Sequence, residues 1–479
     1  MFEISLPQIL IALEGDNLLP AIVFRTARAQ CDLDVERVAQ ARNCMLDRSA
    51  QSKIREYVYT IIKKLEIDSK LVFDHPQFGA LLKTGVGAHH AGQLLVWRLL
   101  LEELMSAGLL RVLVATGTVA AGVDFPARTV IITADSRRGP DGYRNLTAAE
   151  FQQMSGRAGR RGKDTVGFCL AAPSRFCDPR NILKVSRRKP EPLESAYYPS
   201  PSTILNLLRY RNADDLRYTV DRSLASFMDR RAADSMRRDA EDLRAGRHVA
   251  GGEDDGVEEH GADSHSRKAK KRATRLDRQA EELAVKQDRL LTEAIQGLGN
   301  LGYLEGSSLS EKGFWASNIC TNVVLELAEM IDQGMMNQAP AERMICLVAL
   351  LCGEEHRRLI PEDKIRDLPL TEEDLAKVDA IVSRIRKEKL PGLSDSLFIS
   401  NSPAVTALLW HRSKDWEVFR SMLNLSGVQE GDAARLITQT AEQLNQLTKL
   451  YETHPGVAEI ARYCRGSLLR PPLTEIIPV

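Results

Sequence analysis

Residues 153–162 read QMSGRAGRRG, closing an amphipathic run (TAAEFQQMSG) and preceding an apolar, strand-like segment, TVGFCLAA. Arg157 and Arg160 stand three apart, so a helix carried through them would place both on one face. Gly156, Gly159 and Gly162 leave that face uncrowded. A planar, permanently charged guanidinium suits the charge that develops on a transferring phosphoryl group, so the pair reads as a polyphosphate contact. A solvated basic helix end would look the same on this stretch alone, because cations are favoured at helix C-termini.

Outward from this stretch, apolar runs alternate with helical periods. LLPAIVFRTARAQCD reads as a buried strand running into a helix, and GQLLVWRLLLEELMSAG as an amphipathic helix. LRVLVATGT (110–118), ARTVIIT (127–133) and DTVGFCL (164–170) read as further strands. That alternation predicts a parallel sheet covered on both faces, with ligands bound beyond the carboxyl ends of the strands. The ends read TARAQ, ATGTVAAGVDFP and QMSGRAGRRG, rich in small residues, hydroxyls and arginine. Residues 1–18 read as a tail or linker before this α/β domain of 19–190.

Composition bounds the rest. The 479 residues allow two to four domains, and 43% hydrophobic content allows ordinary cores. Net charge is zero, yet residues 1–190 hold 27 Lys/Arg against 19 Asp/Glu, making that part the electrostatic partner for an anion. The eight cysteines show no CxxC pair and no histidine at zinc spacing, so no bound metal is expected. No apolar run approaches the ~20 residues that span a bilayer, and MFEISLPQ lacks the basic start of a signal peptide. The expectation is a cytoplasmic protein with no membrane contact.

A proline-rich stretch, KPEPLESAYYPSPS, marks a boundary near residue 190. Residues 191–319 then read as helices followed by LGYLEGSSLSEKGFWAS, where a Gly-Ser turn between apolar segments predicts a wing hairpin and hence a winged-helix region. A charged insertion at about 236–288 contains GRHVAGGEDDGVEEHGADSHSRKAKKR, which reads as a solvated loop or coil. Residues 320–479 read as amphipathic helices of a bundle, with Trp410 in its core.

Together these segments resemble the second RecA-like domain and C-terminal region of superfamily 2 helicases, in the Ski-like DExH-box branch. PAIVFRTARAQCD resembles motif IV, GVGAHHAG the segment that follows it in this branch, ATGTVAAGVDFPA motif V and QMSGRAGRRG motif VI. Four motifs in order make the resemblance specific. Beyond them, LLWHRSKDWEVFRSMLNLSGVQEGDAARLITQTAEQLNQLTKL and the following RPPL, within about 400–479, are similar to the DSHCT domain of exosome-associated members.

The resemblance implies that Gln153, Arg157 and Arg160 face ATP phosphates, the arginines as fingers completing a site built mostly by another domain. Asp124 would accept from the ribose hydroxyl, with Gly122 and Gly156 in the same cleft. Thr116, Gly117 and Thr118 would hold a nucleic-acid phosphate, and Gly87, His89 and Arg28 would lie along the same groove. The serine usual before the motif IV arginine is Ala27 here. Asp124 as a turn cap and Thr116 as an ordinary strand end are the structural alternatives. His89 and His90 tempt a metal assignment, but neighbours on an extended segment point to opposite faces.

Hydrolysis in this superfamily also needs a phosphate loop ending GKS or GKT and DExH carboxylates for Mg²⁺ and water. Neither stands in these 479 residues: Lys83-Thr84 follows Leu82, and MICLVALLCGEEH, with Glu354, Glu355 and His356, reads as a bundle helix end. About 18 residues precede motif IV, where a first RecA-like domain needs on the order of 150. The expectation is the C-terminal fragment of a longer helicase, ahead of a split subunit and of a non-catalytic nucleic-acid-binding module. ATP and Mg²⁺ would be shared with a first RecA-like domain in cis or in trans. Single-stranded RNA is the expected partner, with DNA the alternative and an RNA-degradation complex a further partner of the exosome-associated type.

Overall fold

The computed structural model describes residues 4–117, 127–139, 142–160, 162–245, 262–393 and 397–474. Its centre is β1 (Ala21–Arg25), in which every residue is buried. Parallel to it run β2 (Val86–His89), β3 (Val112–Thr116) and β4 (Thr129–Ile132). A separate antiparallel hairpin, β5 (Ser136–Gly139) and β6 (Gly142–Asn145), precedes β7 (Phe168–Ala171), which closes the sheet. The order is β2-β3-β1-β4-β7, and every pairing is parallel.

Alternation along the strands builds two cores. Ile22 and Phe24 join Leu113, Val130 and Ile132 against Ile54, Val58 and Ile61 of the helix Arg48–Lys64 and Trp97, Leu100 and Leu104 of the helix Leu95–Ser106. Ala21 and Val23 join Val86, Val112 and Val114 on the other face, against Cys31, Val35 and Val38 of the helix Arg28–Gln40. Residues 1–18, expected to be a tail or linker, instead supply the helix Leu6–Gly15, opened by a Ser5–Gln8 capping box. Its Leu6, Ile9, Leu10 and Leu13 recur at i, i+3, i+4 and i+7 and are buried in the second core.

After an irregular stretch at 190–200, the helices Pro201–Leu208, Ala213–Asp221 and Lys286–Asn300 pack beside a short hairpin, β8 (Leu304–Glu305) with β9 (Ser308–Leu309). The second apolar half of the expected wing is the helix Glu311–Ala316, capped by Ser310, whose Oγ accepts from Gly313 N at 3.0 Å. The charged insertion is helical up to Arg244, as its period predicts, and again from Ala262 to Ala284, so the end of the stretch expected as loop or coil is already helix. These two helices run antiparallel, with Ala233, Ala240, Ala273 and Ala280 fully buried along their contact and Arg244 paired with Asp277.

The remaining helices form the bundle. Ala341–Leu350 is buried at every position from Met344 onward, which places it at the centre. Trp410 is fully buried as expected and donates from Nε1 to Leu468 O at 2.8 Å, packed against Trp416 and Phe419. The GEEH segment follows the bundle helix Ala341–Leu350 rather than closing it, and there Glu354 pairs with Arg357 at 2.6 Å.

One contact between the bundle and the sheet domain is backbone to backbone. Gly431, at the start of the helix Glu430–Leu447, donates to Gly92 O at 2.9 Å, and a Cβ on Gly431 would lie 2.3 Å from Ala91 O and 2.7 Å from Gln93 O. Gly431→Ala is therefore expected to destabilise the protein by about 1–3 kcal/mol in chemical denaturation. Gly466→Ala, in an open helical position of Pro455–Leu468, should instead stabilise by up to ~1 kcal/mol. Equal effects of the two substitutions would contradict this account.

Candidate functional site

Because helices cover both faces of the sheet, its chemistry is confined to the carboxyl ends of the strands. There the register sets Arg25 of β1 beside Thr116 of β3, and the ends of β1, β3 and β4 open into a cleft of about 260 Å³. Of the residues singled out in the sequence, Thr116, Gly117, Arg28 and Gln153 line this one cleft. Arg25 also lines it, yet its side chain is almost fully buried and donates from Nε to the equally buried Asp34 at 2.7 Å.

The cleft also contains cations that the sequence reading passed over. The hairpin of β5 and β6 brings Arg137 and Arg138 to its edge, and Arg138 is exposed. Arg137 pairs with Glu150 at 2.7 Å, and Arg144 grips the same carboxylate at 2.7 and 2.8 Å. These bonds, Arg144 first, push the Glu150 carboxyl down to about 2. Glu150 also completes the Thr147 capping box, so one carboxylate ties the hairpin to the helix Ala148–Ser155 that carries Gln153. The turn signal Gly-Pro-Asp-Gly between basic residues, at 139–142, was the available clue.

The arginine loop departs from its expected geometry. The helix ends at Ser155, and Gly159 has φ +92°, so Arg157 and Arg160 do not share a helical face. The loop is instead fixed to the start of β4: Ala127 N donates to Arg157 O at 2.9 Å, and Gly159 N to Ala127 O at 2.7 Å. Gly167 lies under it so closely that a Cβ would sit 2.5 Å from the Ala158 carbonyl. Gly156 is exposed at the helix end between Gln153 and Arg157. Neither arginine lines the cleft that holds Gln153.

Arg160 is held by a residue that sequence reasoning missed. Its Nε and Nη2 donate to the two oxygens of Asp164 at 2.7 and 2.9 Å, and its backbone N–H adds a third bond at 3.0 Å. The Asp164 side chain is almost fully covered, and Arg160's hydrogen bonds push its carboxyl down to about 2.

Gly87 and His89 require a correction. Both are buried in β2 rather than open to a groove. Leu101 packs where a Gly87 side chain would be, 2.5 Å from an added Cβ, so the glycine answers a packing need. His89 Nε2 lies 2.7 Å from Glu102, while His90 turns to the opposite layer and meets Asp32 at 2.9 Å. The neighbouring histidines thus point to opposite faces, as an extended segment requires. Thr118, Gly122 and Asp124 lie outside the described residues. Among those residues, no three His, Cys, Asp or Glu side chains cluster to hold a metal ion, and no helix is long and apolar enough to cross a membrane.

Residues 84–162, containing β2, β3, β4 and the arginine loop, match the helicase conserved C-terminal domain, and residues 306–475 match the DSHCT (NUC185) domain. The chain thus joins a helicase conserved C-terminal domain to a DSHCT domain, and with its relatives this supports the C-terminal part of a Ski-like DExH helicase of superfamily 2. It is 34% identical over 229 residues to Superkiller complex protein 2 of Homo sapiens, covering 47% of this chain and 18% of that protein. Probable helicase HelY of Mycobacterium tuberculosis is 29% identical over 221 residues, 46% of this chain and 24% of that protein. The chloroplastic DExH-box ATP-dependent RNA helicase DExH15 of Arabidopsis thaliana is 35% identical over 196 residues, 41% and 16% respectively. The matched part of this chain thus spans a quarter or less of these relatives.

Since the Asp164 carboxyl titrates lower in the folded protein than its ordinary 3.8, its contribution to stability is complete above that value and is lost as pH falls toward 2. Asp164→Asn is expected to remove this part of the acid limb, read as unfolding midpoints between pH 2 and 5. Superimposable acid limbs for the two proteins would show that the pair contributes nothing.

Proposed function

We propose that this chain is one wall of a cytoplasmic, ATP-driven RNA helicase. It supplies the arginine side of a nucleotide cleft and part of a single-strand groove. The observation that carries this is the meeting of Gln153, Thr116 and Gly117 in one cation-edged cleft at the carboxyl ends of parallel strands. Small side chains, hydroxyls and open backbone at strand ends suit a sugar–phosphate backbone, which is held without reading sequence.

The loop after Gln153 fits a triphosphate in its chemistry. Asp164 grips two nitrogens of Arg160 and leaves Nη1 without a partner among the described residues, so the guanidinium is oriented before any ligand arrives. Bound ATP would supply the scissile phosphoanhydride and the negative charge that such a guanidinium and Mg²⁺ would offset together. The donor set here is cationic rather than carboxylate, so Mg²⁺ and the attacking water are assigned to a first RecA-like domain, in cis or in trans. Asp124 as ribose acceptor, with Gly122 beside it, belongs to the same proposal. The region around β8 and β9 is read as a winged helix in support of the strand. RNA is preferred to DNA because of the DSHCT match and because one relative is named an RNA helicase. Association with an RNA-degradation complex follows from the Superkiller relatives.

Two outcomes are expected. The 479-residue chain alone binds single-stranded RNA with an affinity that falls steeply with salt, and does not turn over ATP. RNA-stimulated hydrolysis by the pure chain would refute the division of labour. In the ATP-hydrolysing helicase containing this chain, Arg157→Ala or Arg160→Ala lowers kcat by roughly 10³-fold or more while RNA affinity holds within a few-fold. An unchanged kcat would remove the finger assignment.

A further inference from the structure

Arg28 occupies an unusual position for a strand contact. It stands at the lip of the cleft with Thr116 and Gln153, yet its Nη1 donates to Asp432 at 2.7 Å and to Gln429 at 3.0 Å, both on the helical bundle. The Arg28 side chain is 35% exposed and that of Asp432 13%. Asp432 thus sits as a carboxylate beside the cation that a phosphate in the cleft would need.

We propose that Asp432 is an internal competitor for Arg28, occupying it as a nucleic-acid phosphate would and yielding it when a strand enters the cleft. The inference rests on the cleft being a single-strand groove, and adds a residue of the bundle that sets how tightly the groove holds its strand. Three features make the exchange feasible. Arg28 has a long, partly exposed side chain that can turn without disturbing either core. Asp432 is not orphaned when Arg28 leaves, because Arg357 Nη1 lies 3.6 Å from its other oxygen. It also lies in the first turn of the helix Glu430–Leu447, where a carboxylate is favoured by the helix dipole. The domains stay joined meanwhile, since the Gly431–Gly92 contact is backbone to backbone and independent of Arg28.

Removing the competing charge should strengthen binding, the reverse of what loss of a structural ion pair would do. The test measures the affinity of the full 479-residue chain for a single-stranded oligoribonucleotide, by fluorescence anisotropy across a salt series. Asp432→Asn is expected to tighten binding by about 3–10-fold near 0.1 M salt with the log–log salt slope unchanged, since Arg28 meets the phosphate in both proteins. In an Arg28→Gln background, Asp432→Asn should change nothing. Asp379→Asn, on the helix Glu372–Lys387, makes the same change of net charge elsewhere and should leave affinity unaltered.

Unchanged or weaker binding by Asp432→Asn would overturn the competition. So would tightening that persists without Arg28 or that Asp379→Asn reproduces. Failure of the unsubstituted chain to bind any single strand at low salt would overturn the functional reading, and this inference with it. A null result confined to Asp432→Asn overturns only the latter.

Discussion

A parallel sheet buried on both faces has only its ends to offer a ligand, and the rest of this molecule follows from that constraint. Ile22 and Phe24 are committed to one helical layer, Ala21 and Val23 to the other, so no side chain in the middle of β1 is free to do chemistry. Thr116 reaches the cleft because β3 stops there. The arginine loop is placed by the opposite, amino edge, since its backbone bonds go to Ala127 just before β4. Chemistry at this site is therefore a matter of where strands end and which loops are tied to those ends.

Several cations at the cleft and on the arginine loop are held by carboxylates at fixed geometry. Glu150 gathers Arg137 and Arg144, Asp164 grips Arg160, and Asp432 takes Arg28. Such pairing lowers the local field that a polyanion meets, but it also orders long side chains that would otherwise lose rotamer freedom on binding. A site built in this way trades some long-range attraction for orientation.

Local pattern made much of this legible. Four of the five sheet strands and the fully buried Trp410 lie where periodicity predicts them. The helix Leu6–Gly15 is equally legible from its apolar residues at helical spacing. What sequence could not supply is long-range pairing. Nothing local says that Arg28 meets a residue 404 positions away, or that Gly87 is small because Leu101 packs against it. The spacing of Arg157 and Arg160 misled for the same reason: it assumed a helix that Gly159 ends, in a loop whose shape is imposed by Ala127 and Gly167. In the 19–190 region resemblance located the cleft, but whether a motif residue faces the cleft or the core was decided by packing.

The contact between Gly431 and Gly92 has a mechanical consequence. Side chains at a domain boundary act as springs, because each has rotamers through which a displacement can relax. Where two glycines meet main chain to main chain, that compliance is absent. Movement of the segment after β2 must carry the start of the helix Glu430–Leu447 with it, and the bundle behind that helix moves as its load. A displacement of the sheet domain would thus be passed to the bundle at this contact.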